Sequence, residues 1–143
     1  MKKYRFPLAT VLRVRRIEEE RAKAELLRAN RETHDAEVVV ETRTQHLRAL
    51  PTPADADSPG ALRGQHDQGM IAAASASFAA SALVAKRAAA AARRSEWADA
   101  QMRVNALERL DDRMREGHAV EVVRAEQNVI DDLVAARARR TIG

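Results

Sequence analysis

Between Leu8 and Leu50 the chain contains neither glycine nor proline, the two residues that most readily stop or kink a helix. Pro7 suits a first turn, where its missing N–H costs nothing, so the pattern predicts one helix over residues 6–50. Residues 51–69 then interleave Pro51, Pro53, Pro59, Gly60, Gly64 and Gly69 with Asp55, Asp57 and Asp67. This is read as a connector. A helix has a possible start at Pro59, but three glycines before Met70 favour a flexible or partly helical loop. From Met70 to about Arg140 only Gly117 interrupts a second helical run. Composition supports this reading. Aromatic residues are 3% of the chain, too few for a thick multilayer core, whereas Ala, Leu, Glu and Arg are abundant and all strong helix formers. The absence of cysteine excludes a disulfide framework and thiolate chemistry.

The spacing of apolar residues predicts which faces pair. In the first helix one heptad position takes Leu12, Glu19, Leu26, Thr33, Val40 and Leu47, and the other takes Arg15, Ala22, Ala29, Ala36, Arg43 and Leu50. Glu19 with Lys23 and Glu25 with Arg28 add surface pairs worth only about 0.2–0.5 kcal/mol each. In the second helix the seam is clear from Leu83, Ala90, Trp97 and Val104, with Ala100, Leu107 and Met114 at the alternate position. Upstream of it, thirteen of the twenty-one residues from Ala72 to Ala92 are alanine, so helices can approach closely but the register is left open. After Gly117 the apolar residues resume as Val122, Ala125, Val129 and Ala136, four residues out of phase. Such a stutter locally unwinds a supercoil.

Two long helices joined by a turn-rich segment predict an all-α fold: a single antiparallel coiled-coil hairpin across residues 1–143. The expected lengths differ. At ~1.5 Å per residue the first helix spans roughly 68 Å and the second roughly 106 Å, leaving about 39 Å of the second unmatched. Residues 115–140 then carry apolar side chains with no internal partner, which predicts a binding partner or self-association.

The net charge of +4 is concentrated at one end, because Lys2, Lys3, Arg5, Arg13, Arg15 and Arg16 fall in the first sixteen residues with no acid among them. A basic end suits nucleic acid, anionic lipid or an acidic protein surface. Beyond residue 16 acids nearly balance bases, there is no regular basic stripe, and stacking aromatics are scarce, which argues against nucleic acid. Gln68–Ala85 is free of charge but mostly alanine and serine, too weakly apolar by this reading to span a bilayer. No secretory signal is expected, since Met1-Lys2-Lys3 leads into a charged repeat rather than an apolar core. His34, His46, His66 and His118 are scattered, no phosphate-binding glycine loop occurs, and the pairs Asp111-Asp112 and Asp131-Asp132 read as solvated surface with Arg115 placed to neutralise the first. No enzyme activity, cofactor or metal is expected.

At the N-terminus Phe6, Leu8, Val11, Leu12 and Arg15 form the pattern F-x-L-x-x-V-L-x-x-R, followed by Glu18-Glu19 and Ala22. Trp97, Ala100, Arg103, Leu107, Glu108, Leu110 and Arg113 form a second block, and Arg124, Glu126, Gln127 and Asp131 a third. Together they resemble the FliJ family of flagellar type III export proteins. The resemblance implies a hairpin similar to the central stalk of rotary ATPases. Such a protein acts without catalysis of its own beside the hexameric flagellar export ATPase and its regulator, contacts the cytoplasmic domain of the export gate, and escorts export chaperones. It implies a cytoplasmic location, peripheral to the membrane-embedded apparatus, and the charge pattern and weak hydropathy add the expectation of neither membrane insertion nor nucleic-acid binding. The basic cluster, with Phe6, is the candidate surface for the ATPase ring, and Phe78 and Leu83 are the bulkiest candidates for the gate. The alternatives are the equivalent stalk of an injection-type secretion system and a structural coiled coil whose basic terminus binds membrane or nucleic acid. For Phe6, Leu8 and Leu12 packing on the second helix competes with partner contact, and Trp97 and Leu107 read as seam residues.

Overall fold

In the computed structural model, which describes residues 3–141, helix α1 spans Ala9–Ala49 and helix α2 spans Pro59–Thr141, with a short 3-10 turn at Pro53–Asp55 between them. The fold is an all-α helical hairpin, with no strand among the described residues.

Helix α1 begins three residues later than the sequence predicts. Pro7 and Leu8 form the lead-in turn, closed by the Ala9 amide donating to the Phe6 carbonyl at 3.2 Å. It ends one residue before Leu50, because the ring of Pro51 disfavours helical geometry at the residue ahead of it. His46 and Arg48 in its last turn complement the helix dipole. In the connector Thr52 donates its hydroxyl to Asp55 at 2.8 Å.

The connector is shorter than expected, since α2 starts at Pro59 and takes Gly60, Gly64 and Gly69 into the helix. Ser58 supplies the reason. Its hydroxyl oxygen accepts from the Ala61 amide at 3.1 Å and its carbonyl from the Leu62 amide at 3.0 Å, an N-cap followed by proline at the first helical position. Each glycine costs about 1 kcal/mol in a helix interior. Gln65, Gly69 and Met70 share a shallow groove with Leu47 and Leu50.

The chain divides into two compact units. The first combines residues up to Glu19 with those from Ala100 onward, and the second is Glu20–Asp99. In the second unit α1 and α2 run antiparallel around Leu26, Ala72, Ala79, Leu83 and Ala90, all buried. Ala22, Ala29, Thr33, Ala36, Val40 and Leu47 line the α1 side, half-buried as their heptad positions predict, while Arg43 is exposed. The structure settles the register of the alanine run. Ala72 and Ala79 face inward and Ala73, Ala74 and Ala80 face solvent, so the seam extends eleven residues upstream of Leu83. Small side chains let the backbones approach, and Thr33 Oγ1, which donates to Ala29 at 2.8 Å, lies 3.3 Å from the carbonyl of Lys86 on the opposite helix. Lys86 and Arg87 reach across to Glu32 (2.7 Å) and Glu37 (3.2 Å), and the Lys86 ammonium holds the Glu32 carboxyl below its ordinary range. These pairs are exposed, so they fix register more than they stabilise.

In the first unit Leu12, Ala100 and Val104 are buried, with Leu107 and Asp111 half-buried along α2. Helix α2 continues through Gly117 without interruption. Beyond His118 only Val122 is half-buried, and every described side chain from Val123 to Arg140 is exposed.

One stretch of α2 is long and apolar enough by composition to cross a membrane, with a mean hydropathy of 1.4 over eighteen residues. This differs from the sequence reading. The high average comes largely from alanine, whereas the side chains that drive insertion, each worth roughly 0.3–0.6 kcal/mol, are restricted to a few such as Ile71, Phe78, Leu83 and Val84. One face of the stretch is packed on the polar helix α1, and Lys86 and Arg87 follow at its end.

Candidate partner-binding surfaces

The residues ahead of α1 form a strap lying on α2 of the first unit. Its anchor is Tyr4, which no motif or spacing in the sequence singles out. The Tyr4 hydroxyl donates to Asp111 Oδ1 at 2.7 Å, and the Arg115 guanidinium holds the other carboxylate oxygen of Asp111 at 3.1 Å. The ring also lies 5.6 Å from that of His118 and 5.7 Å below the Arg115 guanidinium carbon, within reach of a cation–π contact. Partial burial and the negative Asp111 raise the phenol above its ordinary pKa of 10.0. Asp111 is therefore a positioning group for the strap. Lys3 and Arg5, either side of Tyr4, line a groove with Met114, Gly117 and Glu121.

Of the basic cluster, Lys2 lies outside the described residues, and Lys3, Arg5 and Arg13 are exposed. Arg15 and Arg16 are not acid-free in space. Arg15 binds Glu18 at 2.8 Å, and Arg16 reaches Glu108 on α2 at 2.9 Å. Counting charge along the chain missed both carboxylates, one a turn ahead and the other on the facing helix. Phe6 is half-buried and Leu12 buried, which fits the packing reading, but Leu8, Val11, Val14 and Ile17 are exposed at between 38% and 48%. The N-terminal surface is thus apolar as well as basic. Heptad counting places Val11, Val14 and Ile17 outside the seam, so the signal was present in their phase.

The two middle candidates part company. Phe78 is 79% exposed beside a shallow groove lined by Ala36, Val39 and Arg43, whereas Leu83 is 8% exposed in the seam of the second unit. Leu83 has almost no surface to present to a gate or any other partner, because its heptad phase turns it inward. Trp97 and Leu107 are half-buried, as seam positions require.

A third apolar surface lies on α2 after the strap, where Val123, Val129, Ile130, Leu133 and Val134 are all more than half exposed. Val122, Ala125, Val129 and Ile130 form a groove there, edged by Glu121 and Glu126.

Among the described residues no three His, Asp or Glu side chains converge as metal ligands would. Asp131 accepts from Gln127 at 3.0 Å, one turn back along the same helix. No curated protein and no solved structure matches the chain significantly. The family model described as flagellar FliJ protein matches residues 4–142, a span that takes in Tyr4 of the strap and both helices. With a match over nearly the whole sequence and two long helices to carry it, the chain belongs to the FliJ family, non-enzymatic components of flagellar protein export.

Proposed function

We propose that this chain is the stalk of the flagellar export ATPase. In this role it acts with the hexameric ring and its regulator, couples the ring to the cytoplasmic domain of the export gate, and also escorts export chaperones. It works on the cytoplasmic side, peripheral to the membrane-embedded apparatus. The observation that carries the reading is the N-terminal surface, where Lys3 and Arg5 of the strap and Arg13 of α1 are exposed, as are the apolar Leu8 and Val11. Such a surface attracts an acidic partner at long range and gives it apolar area to bury on contact. Family membership supports the export role, and the alanine seam of the second unit supports a slender, closely packed hairpin. Phe78 is the candidate contact for the gate.

Charge reversal tests the ring contact. The triple variant K3E/R5E/R13E changes only exposed positions, so its helicity by circular dichroism is expected to match the parent. Stimulation of the purified export ATPase is expected to fall at least about tenfold, the consequence of losing more than about 1.4 kcal/mol of interaction. Full stimulation by the triple variant refutes the assignment of this surface.

A further inference from the structure

The exposed face of α2 beyond the strap is long, apolar and unevenly charged. Residues 119–132 carry four acids, Glu121, Glu126, Asp131 and Asp132, and one base, Arg124. Residues 133–140 carry Arg137, Arg139 and Arg140 and no acid. The groove of Val122, Ala125, Val129 and Ile130 is edged by Glu121 and Glu126, so its occupant should be an apolar helix with basic flanks. The C-terminal stretch of α2 itself has that character, since Leu133 and Val134 are exposed at 66% and 63% and are followed directly by the three arginines.

We propose that this face is occupied by a second copy of the chain, paired antiparallel through residues 119–140 about a two-fold axis near Ile130. In that arrangement the acidic part of each copy lies beside the basic part of the other, and the contact closes on itself. A parallel pairing would instead set acid against acid and base against base. The apolar residues supply the driving force and the flanking charges the direction. The dimer removes from water the largest run of exposed bulky apolar side chains on α2, and it does so independently of the export role.

Sedimentation velocity of the full chain over a range of concentrations is expected to give a reversible monomer–dimer equilibrium. I130E, at a position 53% exposed, should raise the dimer dissociation constant at least about tenfold without changing helicity. E121R/E126R and R139E/R140E should each weaken the dimer, and all four changes in one chain should restore it. A chain that stays monomeric throughout overturns the proposal, as does a dimer indifferent to I130E. A dimer that I130E weakens but the combined swap does not rescue overturns the antiparallel pairing. If the chain alone is monomeric and I130E instead abolishes stimulation of the export ATPase, the face belongs to the ring and the second copy is excluded.

Discussion

Truncating Leu83 and Phe78 to alanine separates a residue that holds the hairpin together from one that only faces outward. Leu83 is 8% exposed, and Leu83→Ala removes the equivalent of about three buried methylenes, each worth about 0.8 kcal/mol. A two-helix seam has no further layer above it, so neighbours and solvent fill part of the space and little cavity cost is added. The total is about 2–2.5 kcal/mol, at the low end for such a substitution in a core. This lowers the melting temperature by roughly 5–10 °C for a chain of this size. Phe78 is 79% exposed, and Phe78→Ala should change stability by less than about 0.5 kcal/mol. Urea unfolding followed by circular dichroism measures both. Trp97, the single tryptophan and a member of the same unit, reports on that unit by fluorescence. Equal costs for the two substitutions, or a Leu83→Ala cost below about 0.5 kcal/mol, would refute the assigned register of the alanine seam.

Gly117 sits inside α2 with nothing within 4 Å of the place a Cβ would take, so Gly117→Ala should stabilise by about 0.5–1 kcal/mol in thermal melts; destabilisation would mean that the helix needs the glycine there. Ser58→Ala removes the cap that starts α2 at Pro59 and should cost about 1 kcal/mol, with faster hydrogen exchange at Ala61. Tyr4 is the only tyrosine, so ultraviolet titration reads its ionisation directly: the midpoint should lie above 10.0 and move down in Asp111→Asn. Because the folded pKa is the higher one, the strap's stabilisation from this group is complete below the ordinary value and is lost as pH rises through the folded pKa.

The helical stretches and the heptad faces were legible from the sequence because their signals are local: missing breakers, and apolar residues recurring every three to four positions. All but one of the twelve seam positions predicted between Leu12 and Leu50 are buried or half-buried, the exception being Arg43. The start of α2 at Pro59 was passed over because the glycines were weighed as breakers while the Ser58 cap was not. The register of Ala72–Ala92 was not legible in the alanines themselves, which fit any face. It follows from the phase of Leu83 and Ala90 carried upstream and from the partner residues of α1. For the candidate sites, the charge cluster was visible but its neutralisation was not, because Glu108 lies 92 residues from Arg16. The Tyr4 anchor depends in the same way on Asp111, 107 residues distant, and no spacing rule links the two. Leu83 shows the converse error: a bulky residue in an alanine-rich stretch attracts attention as a binding site when its phase already places it inside.

The export-stalk account is tested most directly by the steady-state ATP hydrolysis of the purified hexameric export ATPase, measured with and without the intact wild-type chain at matched salt. The account predicts a saturable increase in turnover that weakens as ionic strength screens the basic end. Turnover that is unchanged at every concentration of the chain and every salt concentration would contradict it.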